Sequence, residues 1–329
     1  MTTLRNALRA AAIIVALGAS AAIASAQARI ELTSPAAIVN GEVITKAQIE
    51  AVVRHFSVTE GQPNSTTLTP NQALSRRHMA VAVLVDDAIW RQAIAKQVAA
   101  PSQAEVTKKM VAFEDDLKKQ SRTMQQFCEE TAQTLAQVQT SMGFFLQWNA
   151  LVEAQSTDEA LRAHYEQYKD FYEDTKVDVS HIAVRVAPDA NDSDRRAAQN
   201  KIMNARNDIL NGTTTFEKAA ESISQCDTKT KGGRIGFIPR RWGWFDEAFT
   251  RAAFDPSLKP GDITGPVLTQ FGYELIRLNN RQPGNPTTFE SVREQVKNDF
   301  REDLRQRIIA DYRKHSQVDI YRNVVEAVP

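Results

Sequence analysis

The first half of the chain is patterned for helices. Ile49, Val52, Val53 and Phe56 fall on one face of a helix opened by the capping box Thr45-Lys46-Ala47-Gln48. Leu74, Val81, Leu84, Val85, Ala88 and Ile89 mark a long helix over 71–99, with Pro101 beyond its end. A second capping box, Ser102-Gln103-Ala104-Glu105, precedes the stripe Val106, Met110, Phe113, Leu117. Residues 123–155 hold one or two more helices, with Leu135, Val138, Met142, Phe145 and Leu146 apolar. Ser156-Thr157-Asp158-Glu159 opens a last one carrying Leu161, Tyr165 and Tyr168. Ahead of these helices, Asn40-Gly41 sits between apolar pairs and predicts a tight hairpin. The polar stretch 61–70 predicts a loop.

The period changes at Lys176. Residues 177–186 are rich in β-branched side chains and predict a full strand. Alternation sets Val177, Val179, His181 and Ala183 on one face and Ile182, Val184 and Val186 on the other. Two helices follow, one carrying Ala198, Ile202, Ala205 and Ile209, the next capped at Thr214-Thr215 and carrying Phe216, Ala219, Ala220 and Ile223. Arg234–Ile238 reads as a short strand after Gly232-Gly233. Phe245, Phe249, Ala252 and Ala253 predict a short helix, and 263–268 and 273–278 two strands joined around Gln270-Phe271-Gly272. The order is strand, helix, helix, strand, helix, strand, strand. The final stripe, Phe289, Val292, Val296, Phe300, Leu304, Ile308 and Tyr312, is too long to stay in water. The 176–280 segment closes without it, so this helix is expected to pack back on the N-terminal helices. The run Val318–Tyr321 is then expected to pair with the early hairpin. The fold class is α+β: a helical N-terminal domain (27–175) completed by the C-terminal helix and strand (281–329), and one α+β domain (176–280) with a four-stranded, mostly antiparallel sheet.

Composition narrows the classes. Lys+Arg and Asp+Glu number 40 each in 329 residues, so no overall field recruits nucleic acid or an anionic membrane. Residues 1–26 read as an export signal: Arg5 and Arg9, an apolar run over 10–24, and the small-residue site Ala24-Ser25-Ala26. The run is short for a span of ~20 residues, so cleavage after Ala26 and release into the periplasm are expected, with no stable membrane span afterwards. Cys128 and Cys226 are the two cysteines. They fall in different domains, and free thiols are the expected state. No metal-ligand cluster, nucleotide loop or Ser-His-Asp set stands out, and no cofactor is expected.

Seven motifs in order carry a family resemblance: Val179-Ser180-His181-Ile182; Phe216 with Ala219; Ser224-Gln225-Cys226; Gly232-Gly233-Arg234-Ile235-Gly236-Phe237; Phe249 with Phe254; Pro260-Gly261-Asp262-Ile263; and Thr269-Gln270-Phe271-Gly272-Tyr273. With them, 176–279 resembles a parvulin-type (PpiC-type) peptidyl-prolyl cis-trans isomerase domain. The export signal, the Val39–Ile44 opening and the domain order resemble the periplasmic SurA chaperone family, whose best-known members carry two such domains where this chain has one. The resemblance implies a substrate slot lined by Ile235, Phe245 and Phe249, with Phe271 at the rim. Phe245 follows Trp242-Gly243-Trp244, and that density of aromatics favours a binding surface. Beneath the slot the family pattern puts two histidines, a Cys or Asp, and hydroxyls. His181 and Cys226 match, but Glu274 stands where the second histidine is expected, and Arg234 where an acidic residue is usual.

Two functions stay open. One is an isomerase of Xaa-Pro bonds that also binds unfolded outer-membrane proteins and proline-containing or aromatic-rich peptides, with His181, Cys226 and Glu274 as its catalytic set. The other is a non-catalytic holdase whose parvulin domain only binds peptide.

Overall fold

The structure, a computed structural model, describes residues 34–59, 69–131, 133–187, 190–241 and 245–326. The expected export signal, most of the 61–70 loop and Trp242–Trp244 lie outside the described residues. In chain order the elements are β1 (Pro35–Val39), β2 (Glu42–Thr45), α1 (Lys46–Thr59), α2 (Pro70–Gln97), α3 (Gln103–Lys118), α4 (Met124–Thr131), α5 (Leu135–Gln155), α6 (Asp158–Gln167), α7 (Lys169–Tyr172), β3 (Lys176–Arg185), α8 (Asp192–Leu210), α9 (Phe216–Ile223), a 3-10 turn (Asp227–Lys231), β4 (Arg234–Pro239), α10 (Glu247–Ala253), β5 (Val267–Thr269), β6 (Gly272–Gln282), α11 (Phe289–Arg313), β7 (Val318–Ile320) and α12 (Arg322–Val325). Among the described residues no helix is long and apolar enough to cross a membrane. The chain divides into two compact units: the described residues up to Thr157 with those from Asp299 on, and Asp158–Asn298.

The first unit is helical around a small sheet of order β2-β1-β7. Asn40 and Gly41 both have positive φ (50° and 89°), the backbone a two-residue antiparallel hairpin needs. β7, from the far end of the chain, pairs antiparallel with β1, Val318 opposite Val39 and Ile320 opposite Ala37. Two of the expected capping boxes form, Thr45 with Gln48 at the start of α1 and Ser102 with Glu105 at the start of α3, and Thr69 with Gln72 makes a further one at α2. The core joins Ala36, Val39 and Ile44 of the hairpin to Ile49 and Val52 of α1 and to Val81, Leu84, Val85 and Ile89 of α2. A second cluster joins Val106, Met110, Phe113 and Leu117 of α3 to Val138, Met142 and Phe145 of α5. The later turns of α11 lie over this unit's aromatics, Arg301 on Trp148 and Arg305 on Trp90 (5.4 and 4.6 Å to the ring centroids).

The second unit holds an antiparallel sheet of order β4-β3-β6-β5. α8 and α9 cover one face, where Ile182, Val184 and Leu275 meet Ala198, Ile202, Phe216 and Ala220. α10 covers the other, where Val177, Val179, Ile238, Ile276 and Leu278 meet Phe249, Ala253 and Phe254. The strand expected over 263–268 is much shorter. Ile263 makes one isolated bridge to Arg277, and pairing resumes only at Val267. Gly265 and Pro266 account for the gap, since proline has no N–H for the ladder.

The unit also extends beyond the expected boundaries at 176 and 280. Tyr165 Oη donates to the Thr287 carbonyl (2.6 Å), and Asn285 N donates to the Glu173 carbonyl (2.7 Å). Arg162 pairs with Glu290 (2.8 Å), and Tyr168 lies between the guanidinium groups of Arg240 and Arg241 (4.9 and 4.6 Å). α6, α7 and the first turns of α11 therefore belong with the sheet rather than with the helical unit. These contacts join residues more than a hundred positions apart in several cases, which local periodicity cannot display.

Candidate functional site

The site lies on the α10 face of the second unit's sheet. β3 supplies His181, whose neighbour across the ladder is Ile276 of β6; Ala183 faces Glu274. The His181 backbone N–H donates to the Gly233 carbonyl (2.9 Å), which ties β3 to the double-glycine turn. Gly233 has φ +80°, and a Cβ there would come within 2.2 Å of the His181 carbonyl oxygen. Only glycine fits that approach. One residue later the ladder slips: Gly236 faces Val179 and Arg234 faces Ser180, leaving Ile235 as an extra residue. Such a bulge re-aims one side chain, and Ile235 packs, half-buried, against the α10 cluster. Two residues further along the same edge of β3, Ser224 Oγ accepts from Ala183 N (3.2 Å) and Gln225 N donates to the Ala183 carbonyl (2.8 Å). These bonds lay residues 224–226 along the strand and bring Cys226 to His181.

The polar floor is a chain of hydrogen bonds. His181 Nδ1 lies 2.7 Å from Glu274 Oε2, and Nε2 lies 3.0 Å from Thr228 Oγ1. Thr269 Oγ1 donates to the other Glu274 oxygen (2.8 Å) and accepts from Phe271 N (3.2 Å). His181 and Glu274 are 8% and 4% exposed, so this is a buried pair. Burial alone would lower the His181 pKa. Hydrogen bonds with Cys226 and Glu274 and their charges outweigh it and raise the imidazole to about 9. At neutral pH the ring is an imidazolium, donating Nδ1–H to the carboxylate and Nε2–H to the threonine hydroxyl. Cys226 and Cys128 are free thiols.

The apolar wall stands above this floor. Phe245 and Phe249 stack at 5.4 Å with 22° between planes, and His181 meets Phe249 edge-on at 5.8 Å. Phe249 is 2% exposed, so it is core as well as wall, and Phe245, half-buried, is the aromatic surface of the pair that meets solvent. Phe271 is 53% exposed on the turn between β5 and β6. His181, Cys226, Glu274, Ile235, Phe245 and Phe249 thus form one contiguous group, with Phe271 on a neighbouring turn. Arg234 points elsewhere: its guanidinium pairs with Asp178 (2.7 Å), whose side chain alternates to the opposite face of β3. Three residues of the arrangement had no distinct role in the sequence reading: Thr228, Thr269 and Asp246. Thr269 could have been found inside the Thr-Gln-Phe-Gly-Tyr motif. Thr228 sits in a polar turn with no pattern to mark it. Among the described residues, no group of three His, Cys, Asp or Glu side chains is placed to hold a metal ion.

The four-stranded antiparallel sheet with helices on both faces is the architecture expected of a parvulin-type domain, with a histidine–carboxylate pair where that pattern has two histidines. Residues 181–280 match the family model for Rotamase, the PPIC-type PPIASE domain, and the chain carries such a domain. The chain is similar to the foldase protein PrsA of Clostridium botulinum (strain Loch Maree / Type A3), 31% identical over 149 residues that cover 44% of this chain and 40% of that protein. It is also similar to foldase protein PrsA 2 of Listeria innocua serovar 6a, 31% identical over 196 residues, 57% of this chain and 60% of that one. The chain thus spans 40% of the first of these relatives' length. A solved structure of peptidylprolyl isomerase PrsA from Bacillus anthracis aligns at 20% identity and a TM-score of 0.41, covering 70% of this chain and 96% of that one.

Proposed function

We propose that this protein is an exported folding factor that catalyses cis-trans isomerisation of Xaa-Pro bonds in unfolded client chains. The observation that carries the reading is the His181 imidazole, held between Glu274 and Thr228 and edge-on to Phe249 of the stacked Phe245–Phe249 pair. Resonance in the amide sets the isomerisation barrier at ~18–20 kcal/mol. A catalyst must favour the twisted amide, which is less polar than the planar one because its carbonyl has lost conjugation with nitrogen. Phe245, Phe249 and Ile235 offer a dry seat for the proline ring. His181, Cys226 and Glu274 form the catalytic set beside it, and Phe271 a contact for the residues flanking proline. The relatives' name, foldase, supports a role on other proteins' folding.

The clients are unfolded outer-membrane proteins and proline-containing or aromatic-rich peptides, and the compartment is the periplasm after cleavage at Ala26. A SurA-like division of labour follows, in which the discontinuous helical unit binds client chain and the parvulin domain acts on its prolines. The test is a proline-peptide isomerisation assay on the mature chain, beside an aggregation assay with an unfolded β-barrel client. Acceleration in the first and suppression in the second are expected.

A second reading rests on one observation: Glu274 occupies the position of the second family histidine, and it is committed to His181 and Thr269. In that reading the slot binds proline peptides without turning them over. A rate at the uncatalysed level together with saturable peptide binding would select it. Glu274→His then becomes informative: a gain in isomerase rate would assign the missing activity to the missing histidine.

A further inference from the structure

We propose that Asp246 is a positioning residue that clamps the two sides of the slot together; this deepens the isomerase reading and rests on it. Asp246 stands between Phe245 and α10 and makes three kinds of bond at once. Oδ1 accepts from Ala248 N (2.8 Å), which caps the helix carrying Phe249. Its carbonyl accepts from Thr250 N (3.0 Å), the first bond of that helix. Oδ2 reaches across to accept from Gln270 N (3.0 Å), on the turn that carries Phe271.

A helix cap uses one carboxylate oxygen, and the second is here spent on a residue 24 positions away. Gln270 itself lies between Thr269 and Phe271, and Thr269 is the partner of Glu274. The bonds therefore close a ring: His181 to Glu274, Glu274 to Thr269, the 269–271 turn to Asp246, Asp246 to α10, and Phe249 of α10 edge-on to His181. Four of these links are hydrogen bonds or chain continuity, and the last is a ring contact. α10 is only seven residues long. A helix of two turns holds its position through its contacts rather than its own hydrogen bonds. A second tie fixes its other side: Arg240, 3% exposed, forks onto both Glu247 oxygens (3.1 and 2.8 Å) and onto Thr250 Oγ1 (2.9 Å). Without the bond from Asp246 Oδ2, α10 keeps its cap and its arginine, but the turn bearing Phe271 is no longer held against it. The slot then meets a proline peptide with its rim unset, and the peptide must order that rim on binding.

Asp246→Asn separates the cap from the clamp. Asparagine is as good a helix cap as aspartate, and its Oδ1 still accepts from Ala248 N. Its Nδ2 cannot accept from Gln270 N. The variant is expected to melt with wild-type cooperativity. Its Gln270 amide should exchange with solvent roughly tenfold faster, as loss of a bond to a charged acceptor implies. KM for a proline peptide should rise severalfold with kcat little changed, because the interaction orders the binding rim and does not touch the reacting amide. Asp246→Ser, which caps but is too short to bridge, should repeat the pattern and serves if the asparagine variant folds poorly. Unchanged Gln270 exchange in a folded variant overturns the clamp. Faster exchange with an unchanged KM overturns its role in binding. If the wild-type chain shows no isomerase activity, the catalytic reading fails separately, and the same split is read from peptide Kd in place of KM.

Discussion

The two faces of the second unit's sheet carry similar inventories and end in different states. Both have an apolar cluster beneath helices, and both bury polar side chains from the same strand. On the α8–α9 face, Asp178 and Ser180 bond to Asn279 (3.0 Å each), and Asp178 pairs with Arg234. That network ends on a guanidinium whose side chain is 64% exposed, so water and salt reach it. On the α10 face, His181 and Glu274 have side chains only 10% and 5% exposed, and both imidazole nitrogens end on protein groups. Helix coverage differs as well, but in the opposite sense. Two helices, 19 and eight residues long, close one face, while a seven-residue helix covers the other and leaves Phe245 and Ile235 half-open above the charged pair. The strand thus places ionisable groups on both sides, one network running out to solvent through Arg234 and the other ending on protein groups around His181.

The largest test of that contrast compares Phe249→Ala with Phe216→Ala. Each removes a buried ring from one face, and each should cost about 3–5 kcal/mol in denaturant unfolding. Only the Phe249 variant should also abolish binding of a proline peptide, measured below its melting temperature. Equal loss of binding in both would erase the functional difference between the faces.

Next comes pH. The folded His181 pKa, about 9, lies above its ordinary value of 6.5, so the folded state holds a proton that the unfolded chain releases sooner. The resulting stability is fully present below pH 6.5 and is lost as pH rises through about 9. The difference amounts to about 3 kcal/mol. Denaturant titrations at pH 6 and pH 10 should show the second unit weakening, and His181→Gln should flatten that part of the profile. A profile identical in the variant would locate the titration elsewhere.

A smaller effect isolates the partner. Glu274→Gln removes the charge that favours the imidazolium, and the His181 transition, followed by NMR of the ring, should move down by about one pH unit or more. The smallest effect belongs to the α8–α9 face: Arg234→Ala should cost less than about 1 kcal/mol, because the exposed guanidinium is well solvated and Asn279 still serves Asp178. Its isomerase rate should match the wild type's.

Much of the architecture could be read from spacing. The Asn40-Gly41 turn, the capping boxes of α1 and α3, and the alternation that sets His181 with Val177 and Val179 all follow from residues within a few positions of one another. The apolar and polar candidate residues came from ordered motifs, and six of them lie in contiguous contact in the structure. What stayed hidden depends on distant partners. Thr228 gains its role only where Nε2 of His181 arrives, 47 positions away. The unit's true extent depends on Tyr165 reaching Thr287 and Tyr168 lying between two arginines. Periodicity marked those tyrosines as a helical stripe and said nothing of what the stripe would face. The strand at 263–268 was over-read for the opposite reason: Ile263, Val267 and Leu268 suit a strand, but Gly265 and Pro266 between them interrupt its donors.

The turn at Gly233 carries a consequence for how this protein can vary. Its φ is +80°, and the space beside its α-carbon is filled by the backbone of the histidine strand and not by a side chain that could move aside. Lys231 and Arg234, two residues before and one after, are exposed and face no such limit. A saturation library across 231–234 should therefore tolerate almost anything at either end and return a single letter at 233. Every lineage that drifts through this loop must do so around one fixed point, and that point sits against the peptide bond of His181.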